Sequence, residues 1–341
     1  MANTPTKILL LGYQVNQPSF RYRMQSLVGA FEAAGLSAII ETFPSGRYGL
    51  RTWERRELLR QCAVAVLHQI KLSAAEAALF AALSPRRIFD FDDAIYVRKP
   101  RHLGEPAQDS WWRRSKFAAT CRSVDVVAAG NDVLAGAAAP HAERIEILPT
   151  ALDATRYRAT TATQEDPPTI AWVGSPENLV YLEILHPALA RLTQRHPRLR
   201  LRVICSKFPA WHDVHIEPVP WSPASEVDAL AGSHVGVMPL SDDAWARGKC
   251  AFKLLQYMAA SLACVASPVG ANAEAVLEGV TGFHARNSAE WETALERLIE
   301  SAELRARMGA AGRAHVENRY AVRTYQAKYL ALVQSLIGAR G

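Results

Sequence analysis

At 341 residues the chain exceeds the size at which one hydrophobic core keeps growing, so two domains of ordinary size are expected. Hydrophobic residues at 49% and charged residues at 21% exclude a disordered or fibrous protein. The net charge of +6 is clustered, in Arg47, Arg51, Arg55, Arg56 and Arg60 and again from Arg98 to Lys116, which suits an anionic partner.

The polar stretch Met1 to Lys7 runs into the apolar run Ile8 to Leu11, far shorter than a signal-peptide core, so an intracellular, cytoplasmic protein is expected. Ile8 to Leu11 reads as a buried strand closed by Gly12, and Arg23 to Ala34 as a helix ending at Gly35. Ser37 to Glu41, Ala63 to Leu67, Arg87 to Phe91, Val124 to Ala128 and Ile145 to Leu148 are further short apolar runs separated by helix-length stretches. That alternation predicts a parallel sheet covered on both faces. Thr160 to Pro168 is polar and reads as a linker, after which the pattern restarts. Thr169 to Val173 is a strand ending in Gly174-Ser175, Leu179 to Arg195 a helix, and Leu201 to Cys205 and Val235 to Pro239 are strands. Tyr320 to Ile337 is a long amphipathic helix with Tyr325, Tyr329, Leu330 and Val333 at apolar spacing, placed to pack back on the first half. The expected division is 1–158, 159–319 and a returning helix at 320–341. The five cysteines lack CxxC spacing, so neither zinc nor disulfides are expected. No apolar window is long enough to span a bilayer.

Val237 to Gly282 carries the most chemistry. A strand leads through Ser241, Asp242 and Asp243 to Arg247-Gly248-Lys249, then a helix from about Ala251 to Ala260 and a strand from Cys264 to Ser267. A helix N-terminus exposes unpaired N–H groups and partial positive charge, the features that receive phosphate. Lys249, Lys253 and Gln256 fall at i, i+4 and i+7, which predicts one face of that helix. A lysine at a helix start is also commonly a solvated side chain. The loop Ser267 to Glu274, with Gly270, follows an apolar strand and falls at the ligand-facing edge of the sheet, although Glu274 would equally complement a helix dipole. In the first half, Arg21 and Arg23 follow the first strand and could reach an anion or be merely exposed. Trp111-Trp112-Arg113-Arg114 with Lys116 suits the headgroup zone of an anionic membrane, or ordinary packing with a basic flank.

Lys249-Cys-Ala-Phe-Lys253-Leu-Leu-Gln256-Tyr257-Met258-Ala259, then Val265-Ala-Ser-Pro-Val-Gly270, Glu274 and Gly279-Val-Thr-Gly282-Phe283, resembles the donor-binding signature of the family 4 retaining glycosyltransferases. Asp90 to Tyr96 and Trp172 to Pro176 resemble the family too. The resemblance implies an α/β GT-B fold: two Rossmann-like domains facing an inter-domain cleft, with the C-terminal helix returning to the N-terminal domain. It implies a hexosyl transfer with retention, without metal or cofactor, from a nucleotide-diphosphate sugar to a glycan or lipid-linked acceptor in glycan, polysaccharide or glycolipid biosynthesis. Gly174, Ser175, Arg247, Lys249, Lys253, Gln256, Gly270 and Glu274 are the implied donor-binding residues, and Asp92, Asp93 and Lys253 the catalytic ones. Three departures stand out. The family's two glutamates are Gly248 and Gln256 here, the usual Arg and Lys after Gly174 are replaced by Pro176-Glu177-Asn178-Leu179, and Asp92 stands where a histidine is usual. A sugar-nucleotide epimerase and an inactive nucleotide-binding scaffold are the alternatives. A nucleic-acid binder is not expected, because the basic residues are not interleaved with a recognised module.

Overall fold

The structure is a computed structural model that describes residues 5–44, 46–163 and 166–338. Met1 to Thr4, Gln164 and Glu165 of the expected linker, and the last residues of the expected C-terminal helix segment lie outside the described residues. The chain forms two compact units. The first holds Met1–Arg98, Ala107–Ala151 and Val322–Gly341, and the second Lys99–Pro106 and Leu152–Ala321.

Among the described residues the first unit contains β1 (Thr6–Gly12), β2 (Leu36–Thr42), β3 (Val64–His68), β4 (Arg87–Phe91), β5 (Val126–Ala129) and β6 (Ile145–Ile147). They form one sheet in the order β2-β1-β3-β4-β5-β6, and every pairing is parallel. Ile8, Leu9, Leu10 and Leu11 are all fully buried, as a parallel strand covered on both faces requires. The register Ile8↔Val64 to Gly12↔His68 brings the ends of β1 and β3 side by side.

The second unit contains β7 (Thr169–Val173), β8 (Arg200–Cys205), β9 (Ile216–Pro220), β10 (Val235–Met238), β11 (Ala263–Ala266) and β12 (Gly282–His284). Their order, β9-β8-β7-β10-β11-β12, is again parallel throughout. Numbered within the unit this is 3-2-1-4-5-6, the Rossmann arrangement, whose direction reverses between β7 and β10. Strands β9 and β12 are not among the strands read from the sequence. Ile216–Pro220 holds two prolines at an outer position of the sheet, and Gly282–His284 is three residues long.

Helix boundaries depart from the reading where the backbone is interrupted. The stretch from Arg23 to Ala34 is a helix Pro18–Arg23, a 3-10 turn Gln25–Leu27 and a helix Val28–Ala33. Proline at the first helical position fixes the earlier start. The stretch from Leu179 to Arg195 likewise divides into Leu179–Leu182 and His186–Arg195, with Pro187 opening the second helix. The last helix, Val322–Gly338, belongs to the first unit. Its Tyr325, Tyr329, Leu332, Val333 and Leu336 are buried in one cluster with Ile8, Leu10, Phe31, Val64 and Val66. At about 1.5–3 kcal/mol for each large apolar side chain removed from water, this face holds the helix firmly in place.

Candidate functional site

In an open α/β sheet the crevice for a ligand lies beyond the carboxyl ends of the strands, where the strand order reverses. In the second unit that point is flanked by Gly174 and Ser175 after β7 and by the loop from 239 to 251 after β10. Asp243 organises this loop: its Oδ1 accepts from the N–H groups of Trp245 and Ala246 at 2.8 and 3.0 Å, and its Oδ2 from Ser241 Oγ at 2.6 Å. Arg247 is exposed and pairs with Asp242 through Nε and Nη2 at 2.6 and 3.1 Å. The pair is exposed on both sides.

The helix runs Phe252–Ala259 and is entered through Ala251 in the left-handed region, φ 54°, with no side-chain cap. Lys249 precedes it in extended backbone, so the predicted single face of Lys249, Lys253 and Gln256 does not form. Lys249 Nζ lies 5.5 Å from the centre of the Trp245 ring instead. Lys253 is in the first turn and donates through Nζ to Gln256 Oε1 at 3.0 Å. Gln256 is 1% exposed, and its Nε2 donates to Tyr157 Oη at 3.0 Å. The amide oxygen thus holds Lys253, and the amide nitrogen is itself held by Tyr157. Tyr257, one residue on, accepts from the Val173 N–H at 2.8 Å and so ties the helix to the end of β7.

The loop after β11 closes on the same region. Ser267 Oγ accepts from the Leu240 N–H at 3.0 Å, and Asn272 Nδ2 donates to Met238 O at 3.4 Å. Gly270 has φ +53°, and a Cβ on it would stand 2.3 Å from Arg247 O, so this approach of two loops requires glycine. Glu274 is exposed and pairs with Arg319 at 3.3 Å across the surface of the unit. Ser175 is exposed and accepts from Asn178 Nδ2 at 3.1 Å.

The first unit has its own point of reversal, between β1 and β3, and sequence reasoning found only part of what gathers there. Arg23 is fully buried and grips Asp90 with both arms, Nε to Oδ1 at 2.8 Å and Nη2 to Oδ2 at 2.7 Å. Its Nη1 donates to Leu148 O and Thr150 Oγ1. The alternative of Arg23 as an anion ligand is thus corrected: burial and a carboxylate partner leave it a structural cation. Arg21 is half-buried, its guanidinium 5.5 Å from the Tyr22 ring centre. Burial pushes the Asp90 carboxyl up, but Arg23 and His68 outweigh it and hold it below the ordinary value. His68 Nδ1 meets Asp90 Oδ1 at 2.8 Å, and its Nε2 meets Ser19 Oγ at 2.8 Å. Ser19 Oγ donates to Asp92 Oδ1 at 2.6 Å, and Gln69 Nε2 donates to both. Asp92 and Asp93 are half-buried beyond β4. His68, Ser19 and Gln69 escaped the sequence reading. Ser19 stands two residues before Arg21 with no motif around it, and a lone histidine closing an apolar strand is ordinarily core.

On the same unit Trp111 and Trp112 are 63% and 69% exposed, edge to face at 4.6 Å, at the start of the helix Trp111–Arg122. Lys71 lies near the same basic stretch, and burial, then Arg113 and Lys116, push it down to about 8.

Residues 167–301 match the family of glycosyl transferases group 1. No curated protein matches the chain in sequence. Among solved structures it is similar to a sucrose-phosphate synthase from Thermosynechococcus elongatus, with a TM-score of 0.76, 13% identity, and 98% of this chain and 100% of that one covered. A glycosyltransferase from Rickettsia africae gives 0.75, 13%, 98% and 99%. HepE from Anabaena, solved with UDP and glucose, gives 0.70, 14%, 97% and 100%. With two six-stranded parallel sheets among the described residues, the fold is GT-B.

Proposed function

We propose that the protein is a retaining, metal-independent glycosyltransferase that moves a sugar from a nucleotide-diphosphate sugar to an acceptor hydroxyl. The observation that carries this reading is Lys253 in the first turn of an uncapped helix beside the point where the order of β7 and β10 reverses. Helix N–H groups and an ammonium are the donors a diphosphate needs. As the bond between sugar and phosphate breaks, negative charge grows on the diphosphate, and preorganised donors lower the barrier by meeting it. The family match over 167–301 covers all these residues, and HepE, of the same fold, has been solved with UDP-glucose.

In this reading the second unit holds the nucleotide sugar through Gly174, Ser175, Lys249, Lys253 and the Gly270 loop. Asp92, with Asp93 beside it in the first unit, orients the acceptor hydroxyl. The acceptor is a glycan or a lipid-linked saccharide of a biosynthetic pathway, and the setting is the cytoplasm. Trp111 and Trp112 with the neighbouring cations form a peripheral contact with an anionic membrane surface. Among the described residues no helix is long and apolar enough to cross a membrane.

Lys253→Ala tests the assignment. A charge-assisted hydrogen bond contributes about 1.5–3 kcal/mol, so calorimetric affinity for the best-bound member of a nucleoside diphosphate panel falls roughly 10- to 150-fold. The side chain is only partly buried, and the melting temperature of the free protein stays near wild type. An unchanged dissociation constant refutes the assignment. Release of nucleoside diphosphate from the donor without any acceptor points to an epimerase, and binding without turnover to a scaffold.

A further inference from the structure

The basic run from Arg98 to Lys116 gathers a lysine from outside it. Lys71 lies in the segment that follows β3, and the N–H of its neighbour Leu72 donates to Thr120 Oγ1 at 2.8 Å, which pins that segment onto the helix Trp111–Arg122. Thr120 Oγ1 in turn donates to Lys116 O at 2.8 Å. Arg113, Lys116 and Thr120 fall at i, i+3 and i+7, on one face of the helix, and Lys71 feels both cations of that face. Arg113 is fixed from another side: its Nη1 donates to Ile95 O and Val97 O at 3.4 and 3.3 Å, in the segment that follows β4. Because β3 and β4 are parallel neighbours, both segments leave the sheet at its carboxyl edge.

The charges gathered there are of one sign. Lys71 is half-buried, and among the described residues neither a carboxylate nor a carbonyl accepts a hydrogen bond from its ammonium. Burial lowers Arg113 as well, and Arg98 adds to that. Glu76 feels Lys116, but its oxygens are engaged elsewhere: Oε2 accepts from the Ser73 N–H and Oγ, both at 2.8 Å, and Oε1 from the Gly49 N–H at 3.4 Å. Withdrawing cations from water beside one another is unfavourable, and an anion reverses the sign of that interaction. A phosphate suits three cations best, because it offers several acceptor oxygens and more than one negative charge. With Nη1 of Arg113 occupied by carbonyls, its Nε and Nη2 remain for such a group.

We propose that Lys71, Arg113 and Lys116 form a binding site for a phosphate ester on the first unit, between the helix Trp111–Arg122 and the segments that follow β3 and β4. The site itself stands on these contacts; only its role rests on the glycosyltransferase reading, which it deepens by giving the acceptor an anionic group. Gln69, two residues before Lys71, donates to Asp92, so one short segment serves both the phosphate and the carboxylate assigned to the acceptor hydroxyl. The ester is carried by a small soluble phosphate or by a phospholipid headgroup, and the exposed Trp111 and Trp112 at the start of the same helix make the second source as accessible as the first.

The test is calorimetry of the full chain with inorganic phosphate and with glycerol 3-phosphate, in a Lys253→Ala background so that the second unit's ammonium does not contribute. Adding Lys71→Met keeps the apolar stem and removes the charge, and affinity falls about tenfold or more. Without phosphate the melting temperature of Lys71→Met equals or exceeds that of its parent, because one cation among cations has gone. Phosphate raises the melting temperature of the parent and raises that of the variant less. Lys116→Met lowers the affinity in the same direction. Co-sedimentation with phosphatidylglycerol vesicles separates the sources: Lys71→Met lowers it where a headgroup is the ligand and leaves it unchanged where the ester is soluble. A parent that binds none of the three probes, equal binding of all three by parent and Lys71→Met, or a lower melting temperature in Lys71→Met, as a structural lysine gives, overturns the site. A nucleoside diphosphate panel with no binder would sink the glycosyltransferase reading, while the phosphate result still decided the site.

Discussion

Replacing Arg23 by methionine separates a buried structural cation from an anion-binding one. Both side chains of the Arg23–Asp90 pair are 0% exposed, and two bonds of 2.7 and 2.8 Å join them. Methionine fills similar space but leaves Asp90 charged in the core, with His68 as its remaining close partner. Breaking one side of a buried pair costs about 3–5 kcal/mol. For a unit of this size, each kcal/mol moves the melting temperature by about 2–4 °C, so a fall of roughly 6–20 °C is expected in the first unit's transition.

The pH dependence carries the sharper signature. In wild type the Asp90 carboxyl is held below its ordinary value, so its contribution is present above the unfolded value of about 4 and lost as pH falls through the folded one. Without Arg23, burial dominates and raises the folded value above the unfolded one. The variant then gains stability as pH is lowered toward about 4, the opposite slope. Calorimetry of Arg23→Met between pH 4.5 and 8 reads both effects, and Arg23→Met with Asp90→Asn recovers most of the loss. A variant within about 1 kcal/mol of wild type with an unchanged slope, as an exposed arginine gives, refutes the reasoning.

Gln256→Glu keeps the contact to Lys253 but places a carboxylate against the ammonium, and affinity for the same nucleoside diphosphate falls about tenfold, ~1.4 kcal/mol by calorimetry. Unchanged affinity would show that the charge of Lys253 does not act on the ligand. Trp111→Ala with Trp112→Ala lowers co-sedimentation with phosphatidylglycerol vesicles by about tenfold or more and leaves the melting temperature near wild type, because both rings are more than half exposed. Equal sedimentation of wild type and variant removes the membrane contact.

The parallel sheets were legible because buried strands are short and continuously apolar: Ile8 to Leu11 and Thr169 to Val173 announce themselves by composition. Interruptions were less so, since Pro18 and Pro187 open helices that apolar spacing alone joins to their neighbours. In the candidate sites, spacing along the chain was a poor guide wherever the backbone is not regular. Lys249 and Lys253 are four apart, yet Ala251 in the left-handed region places the first before the helix and the second in it. Arg23 could be recognised as buried only through Asp90, 67 residues away, and the contact of Ser19 with Asp92 spans 73. Side-chain pairing over such separations is decided by strand order, which short apolar runs do not specify.

Strand order also explains why two unrelated sets of polar residues are the ones to weigh. In each unit the connections on the two sides of the reversing pair diverge to opposite faces, so the sheet edge between them is where the chain leaves room for a ligand. In the second unit Lys249 and Lys253 stand there beside Asp242, paired with Arg247, and Asp243, held by Ser241 and backbone N–H groups, and Gln256 holds Lys253 by a hydrogen bond that does not cancel its charge. In the first unit, the half-buried Asp92 is backed by a histidine and a serine. The first set suits a group that gains negative charge, and the second a hydroxyl that hydrogen-bonds to a carboxylate. Transfer of a glycosyl unit from a diphosphate demands the first change, a growing negative charge met by donors already in place.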